Sequence, residues 1–422
     1  MKTTICVYFV LILFAALSCS SKDNNIVFPP QELTLVDSIV LEENEALILL
    51  SIEDCDINKN SEKIVITSSL NQIIAIYNYK NGKIIKFCKA GPYLSDSIKN
   101  SNRKPPPNPF NPIIANPIKY LSLKECQDMG WTDFNEFRND FQKVIINNDN
   151  SISSLAYLML PVLLEDNKTS VFNTAAVVEF DSNLIIKKVI YPNHDYINYT
   201  TTDAFVNDKK NSQYYIQIFT PQAYTYLPVK DSIPVLAIYD KEGDFIKIGL
   251  FLDKKFSNLH RKFSNEEIFE SYFLYQPTTT TIGDKIFAML YYDPNTIYEL
   301  KSDKVINLTP PIIDYSTKYD EYLNLIRKPN NKQNKFATAD KCMPLSACNI
   351  MNNGKNLIVC YKVALNDELS YIFKEYDLAG KLISERSFLN REIQNMIYDK
   401  ENNLLVLFIK GEENWTMEKY RW

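Results

Sequence analysis

Apolar and polar residues alternate along this chain in short runs divided by turn residues, and one pattern recurs. Its clearest copies are Ile73–Phe87 (IIAIYNYKNGKIIKF), Val235–Ile248 (VLAIYDKEGDFIKI) and Tyr371–Ser387 (YIFKEYDLAGKLISERS). Each is an apolar strand ending in Tyr and then Asn or Asp, a polar turn holding Gly, and a second strand rich in Ile or Leu. Period-two alternation around such a turn predicts a β-hairpin. Asn81-Gly82 is its strongest signal, since both residues tolerate positive φ.

Further runs group with these hairpins into blade-like units. The first is Lys63–Ser69 with the hairpin at Ile73. The second is Ser154–Leu164, Ala175–Phe180 and Leu184–Tyr191; the third is Gln213–Thr220, Val235–Tyr239 and Phe245–Leu252. The fourth is Lys285–Tyr292, Thr296–Leu300 and Lys304–Leu308; the fifth is Asn356–Val363, Tyr371–Tyr376 and Lys381–Phe388. The sixth, Ile393–Tyr398, Asn403–Ile409 and Trp415–Trp422, runs out of chain after three strands. Two early strand-like runs, Thr34–Leu41 and Ala46–Ile52, are free to supply the missing strand, and such closure removes an exposed sheet edge. The prediction is an all-β chain with residues 34–422 as a single β-propeller of six blades; the irregular spacing leaves seven open.

The insertions between units carry the helical signals. Asp133–Lys143 has capping-box spacing at Asp133 and Glu136, with Phe134, Phe137 and Phe141 on one helical face. Asn265–Phe273 and Lys318–Arg327 read as two more short helices. The largest insertion, Cys88 to Ile146, also holds Arg103–Pro117, with six Pro in fifteen residues, which is extended and cannot join a sheet interior.

Composition sharpens this picture. Tyr (27) and Phe (23) are abundant, as pleated, half-buried surfaces favour, and with only 9 Gly many turns fall to Asn and Asp. The net charge of −5 and the absence of a basic stripe argue against a nucleic-acid partner.

The first residues give an address. Lys2 and the apolar run Ile5–Leu17 form a signal-peptide n-region and h-region, too short to span a bilayer. Residues 1–18 are therefore read as a signal peptide. Ala16-Leu17-Ser18-Cys19 resembles the lipobox of bacterial lipoproteins, although Ala16 and Leu17 depart from its commoner residues. The resemblance implies acylation of Cys19 and a lipidated tether over 19–33, with Pro29-Pro30. More than one acyl chain is needed for a stable hold. The expected location is the bacterial cell envelope, as an outer-membrane lipoprotein facing the periplasm or the surface. Six cysteines follow Cys19, and Cys342 with Cys348 is the nearest pair for a disulfide.

Candidate chemistry is sparse. His194 and His260 are the sole histidines, so a three-His metal site within the chain is excluded, and no nucleophile elbow or phosphate loop is present. Asp54, Asp56 and Asn58 alternate as oxygen ligands for Ca²⁺ can, but Lys59 and Val65 break the EF-hand pattern. An Asx-rich turn is the preferred reading. No metal or catalytic residue is assigned, and calcium is the one cofactor that spacing could serve. The repeated Tyr-Asp strand ends at Tyr239, Tyr292, Tyr376 and Tyr398 read as construction: Asp caps the turn and Tyr packs between blades. Long loops on a rigid scaffold commonly carry binding. Phe110 and Trp131 in the Pro-rich insertion are therefore the candidate contacts for a peptide, glycan or protein partner.

The lipobox, the tether and the recurring aromatic–Asx hairpins together resemble the six-bladed propeller lipoproteins of Bacteroides and relatives, some of them still domains of unknown function. That resemblance implies fold and location and transfers no catalytic residue. The expected function is non-catalytic binding at the membrane surface; the alternative is a propeller hydrolase or lyase with a carboxylate and calcium site at the central channel.

Overall fold

The computed structural model describes residues 31–89, 119–130, 140–164, 168–192, 204–218, 234–251, 276–312, 315, 318–328, 335–365, 368–389 and 392–422. The chain divides into Met1–Pro30 and Gln31–Trp422; the described residues all belong to the second unit. They form a six-bladed β-propeller.

The unit begins with β1 (Gln31–Glu32) and β2 (Thr34–Val40). Blade one is β3 (Asp54–Ile57), β4 (Lys63–Ser68), β5 (Ile73–Asn78) and β6 (Ile84–Lys89). Blade two is β8 (Asp140–Ile146), β9 (Ile152–Leu163), β10 (Thr169–Phe180) and β11 (Ile186–Ile190), with β7 (Lys119–Tyr120) also on β9. Blade three is β12 (Phe205–Asp208), β13 (Gln213–Gln217), β14 (Pro234–Asp240) and β15 (Phe245–Phe251). Blade four is β16 (Pro277–Ile282), β17 (Lys285–Leu290), β18 (Thr296–Glu299) and β19 (Lys304–Asn307). Blade five is β20 (Leu345–Asn352), β21 (Leu357–Leu365), β22 (Glu368–Tyr376) and β23 (Leu382–Leu389). Blade six is β24 (Ile393–Asp399), β25 (Leu404–Lys410) and β26 (Trp415–Arg421), completed by β2, which pairs antiparallel with β26 from Thr34↔Arg421 to Val40↔Thr416. The N-terminal strand thus closes the ring, as the short sixth unit predicts. β1 adds in parallel to the outer edge of blade five, at Gln31↔Arg386.

The first strands of successive blades lie against one another, β3 to β8, β12, β16, β20, β24 and back to β3. Each joint between blades has its own buried apolar cluster. Val65, Ile74 and Ile76 meet Phe141 and Leu158 between blades one and two, and Phe287 and Met289 meet Val359 and Tyr361 between four and five. A middle strand serves two clusters at once. In β17, Ile286, Ala288 and Leu290 face blade three, while Phe287 and Met289 face blade five. Such strands are buried on both faces, so they read as unbroken apolar runs.

Three helices occur among the described residues. α1 (Leu123–Asp128) begins with a capping box: Glu125 N–H donates to Ser122 Oγ at 3.3 Å, and Ser122 N–H donates to Glu125 Oε2 at 2.7 Å. α2 (Lys318–Ile326) lies where a helix is expected and buries Tyr319, Tyr322, Leu323 and Ile326 on the core between blades three and four. α3 (Lys335–Cys342) joins the same core through Ala339 and Cys342.

The structure corrects several readings. Ala46–Ile52 is no strand; it holds only the end of an Asn44↔Leu47 bridge, and Leu47, Leu49 and Ile52 plug the joint between blades six and one. Asp54–Ile57 is a strand, not a turn. The helix expected over Asp133–Lys143 lies partly outside the described residues, and its last four positions belong to strand β8. The helix expected at Asn265–Phe273 and the Pro-rich run Arg103–Pro117 lie outside the described residues.

Candidate functional site

Antiparallel pairing gives every blade two ends. The turns from first to second strand and from third to fourth strand share one end, and they are tight, as at 58–62, 79–83, 283–284 and 377–381. The connections into first strands and from second to third strands share the other end. Every long connection leaves from there: 90–139, 191–204, 218–233, 252–276 and 308–344. Side chains linking neighbouring blades run in step, Asp54 to Val144 and Asp56 to Ile146, Thr278 to Ile350 and Asn352 to Thr280. The first strands therefore run in the same direction side by side, and the long connections leave the blades at one mouth of the ring.

The tight turns follow from their residues. Asp240 Oδ1 accepts the amides of Glu242 at 2.9 Å and Asp244 at 2.8 Å, and Asp377 Oδ1 accepts those of Ala379 and Lys381 at 2.9 Å. Gly82, Gly243 and Gly380 adopt φ of 68°, 89° and 88°. Each also abuts the fourth strand of the preceding blade: a Cβ on Gly243 would lie 2.5 Å from the Tyr191 carbonyl oxygen, and one on Gly380 2.5 Å from that of Asn307. Tyr77, Tyr239 and Tyr376, which end the third strands, are fully buried in the joints between blades. The other two Tyr-Asp pairs occupy different positions. Asp293 follows a second strand and accepts from Thr296 Oγ1 at 3.1 Å; Asp399 ends a first strand and accepts Ser61 Oγ of blade one at 2.7 Å.

First strands have one edge without a strand partner, so its N–H and C=O groups need other partners. Side chains of neighbouring blades supply them. Asp54 Oδ2 accepts Val144 N–H at 2.9 Å, and Asp56 Oδ2 accepts Ile146 N–H at 2.7 Å. Thr278 Oγ1 accepts Ile350 N–H at 3.3 Å. Asn395 Nδ2 donates to the Glu53 carbonyl at 2.7 Å, and Asn349 Nδ2 to that of Met396 at 3.3 Å.

Asp54 and Asp56 bring buried carboxyls to the first strand of blade one. Burial raises the carboxyl of Asp54, opposed by Lys143, whose Nζ is 3.9 Å from Oδ1, and by the Val144 amide. Burial pushes Asp56 up to about 7, against the Ile146 amide and with help from Asp54. Burial also lowers Lys400, and Asp56 opposes that shift. Asn58 turns elsewhere: its Oδ1 accepts the amides of Glu62 and Lys63 at 2.9 Å, and its Nδ2 reaches Asn150 Oδ1 at 3.5 Å. The three alternating residues thus do not converge, and two of them have an oxygen on the backbone of the next blade. Among the described residues no group of three or more His, Cys, Asp or Glu side chains could hold a metal ion.

Cys342 and Cys348 are both thiols in this structure. Their expected pairing is blocked by placement, since Cys342 packs between blades three and four and Cys348 against the core between five and six. Phe110, Trp131, Cys19, His194 and His260 lie outside the described residues. The bridging residues Lys143, Thr278, Asn349 and Asn395 escape sequence reasoning. Their one sequence signal is a polar residue at alternate positions of a short strand-like run.

No helix among the described residues is long and apolar enough to cross a membrane. No protein-family model matches the chain, and no curated protein matches it. The fold is similar to solved structures at low identity. A member of the DUF4221 family from Bacteroides vulgatus is 10% identical, with a TM-score of 0.47 over 93% of this chain and 98% of that one. A protein from Bacteroides fragilis, named as a candidate exported protein, is 12% identical, with a TM-score of 0.49 over 92% and 94%. The WD40 repeats of RRP9 are 8% identical, with a TM-score of 0.43 over 93% and 100%.

Proposed function

We propose that this chain is an envelope lipoprotein, held to the membrane through Cys19, whose propeller binds a peptide, glycan or protein partner without catalysis. One observation carries this reading: all the long connections leave the blades at one end, while tight Asx and Gly turns occupy the other. A rigid ring whose long connections leave at one mouth is the arrangement of a scaffold that presents a binding surface.

The polar groups of the channel support binding over chemistry. Carboxylates that could serve a hydrolase, Asp54 and Asp56, accept backbone amides of the neighbouring blade, and so act as joints. Phe110 and Trp131, within the insertion between β6 and β8, are the proposed contacts. An aromatic ring in such a loop stacks on sugars or on proline-rich peptide with little loss of conformational freedom.

Replacing residues 90–118 by a short Gly-Ser linker together with Trp131→Ala tests this. The blades should keep their melting temperature, while chemical cross-links to envelope components disappear. Undiminished cross-linking by the shortened protein would contradict the assignment of binding to this insertion.

A further inference from the structure

A register shift in blade five brings two cysteines together. β20 and β21 pair as Ala347↔Tyr361 and Asn349↔Cys360, so Cys348 is the extra residue of a bulge lying across from Cys360. In a bulge two residues oppose one. Its consequence here is that Cys348 and Cys360 both contribute to the core between blades five and six, and the Cys348 Sγ donates to the Cys360 carbonyl oxygen at 3.4 Å. Residues facing one another across an antiparallel ladder sit about 4.5–5.5 Å apart, within the span that a disulfide bridges.

The two thiols differ. Cys360 is fully buried at the joint, and burial, reinforced by the neighbouring Cys348, raises its thiol well above the usual range. Cys348 is only half-buried, on a first strand. An incoming reagent therefore meets Cys348 first.

We propose that Cys348 and Cys360 form an oxidisable dithiol that closes to a disulfide with a small-molecule or protein disulfide as oxidant. The Cys348 thiolate attacks one sulfur of the oxidant, forming a mixed disulfide and releasing one thiol. Cys360 then loses its proton and attacks the Cys348 sulfur, releasing the second thiol. Two protein S–H bonds are lost, one S–S bond forms, and both electrons end on the oxidant as two thiols. The product ties the first strand of blade five to its second at the bulge, independently of where the protein resides in the cell.

The test uses the full chain and oxidised glutathione. After incubation, quenching and digestion without reductant, mass spectrometry should find the Cys348 and Cys360 peptides joined, lighter by two hydrogens than the sum of the free peptides. Cys360→Ser should instead retain glutathione on Cys348, and Cys348→Ser should leave Cys360 unmodified. Both variants keep a small polar side chain, and a circular-dichroism spectrum equal to wild type establishes that they fold. Persistent alkylation of both thiols in the oxidised wild type would overturn the proposal. So would stable glutathionylation of wild-type Cys348 without closure.

Discussion

The carbonyl oxygen of Gly380, in the outer turn of blade five, accepts the amide of Thr309, just past the last strand of blade four, at 2.8 Å. The same bond joins Gly82 in blade one to Glu42 past the last strand of blade six, at 2.9 Å. The recurring hairpin is therefore the clasp between consecutive blades. Its glycine is needed twice over, for a left-handed backbone and for room beside the neighbour's carbonyl.

Gly380→Ala should destabilise the ring by about 2–4 kcal/mol, since it combines positive-φ strain with overpacking against Asn307. Gly354 has a similar φ of 89°, and nothing lies within 4 Å of where a Cβ would stand. Gly354→Ala should cost only about 1–2 kcal/mol, the strain alone. Urea denaturation of the two variants separates the clasp from the strain; equal losses would show that the close approach has no energetic weight.

Asp56 sets a pH dependence. Its carboxyl titrates at about 7 in the folded chain, against an ordinary 3.8. The native state then binds more protons than the unfolded one across that window, so this group's contribution to stability falls as pH rises from about 4 to about 7. Asp56→Asn keeps an oxygen for the Ile146 amide and removes the charge. It should raise stability by about 1–3 kcal/mol at pH 8, a figure reduced because part of the side chain still meets solvent, and change it little at pH 5. Denaturation midpoints at both pH values check this; a variant less stable at pH 8 than wild type would contradict it.

Ring closure rests on β2. That strand covers the edge of β26, places Ile39 in the joint between blades six and one, and brings Asp37 to 3.3 Å from the buried Lys419. Removing residues 31–41 should cost about 3–6 kcal/mol from lost apolar burial and expose a bare edge. Light scattering coupled to size exclusion should then show oligomers; a monomer with unchanged melting temperature would argue against closure by this strand.

Cys19→Ala should move the protein from the membrane fraction to the soluble fraction when cells are broken and sedimented. Continued sedimentation with lipids would remove the lipid anchor from the account.

The middle strands were legible because two buried faces make them continuously apolar, and the turns because Asx and Gly chemistry marks them. Closure by Thr34–Leu41 was legible from the missing strand of the last unit. The first strands were not, except for Ile393–Tyr398. Sequences such as Asp54–Ile57 (DCDI) and Pro277–Ile282 (PTTTTI) carry polar residues because their side chains serve the bare edge of the next blade. Phe141 misled for a specific reason. Its spacing from Phe134 and Phe137 is that of one helical face, but Phe141 lies in strand β8, paired with Ala156 and buried between blades one and two. Asp54 and Asp56 looked like an open turn because no local pattern shows that their partners lie ninety residues further on, in blade two.

The measurement closest to the central claim is site-specific photo-cross-linking in cells that carry the full-length protein. A photoreactive phenylalanine analogue at Phe110 or Trp131, or at the exposed Leu70 on the insertion end of blade one, should yield discrete higher-mass adducts. The same analogue at Lys80 or Lys355, in the tight turns, should yield none. Adducts from Lys80 and Lys355 with none from Phe110, Trp131 and Leu70 would place the binding surface at the other mouth and contradict the account.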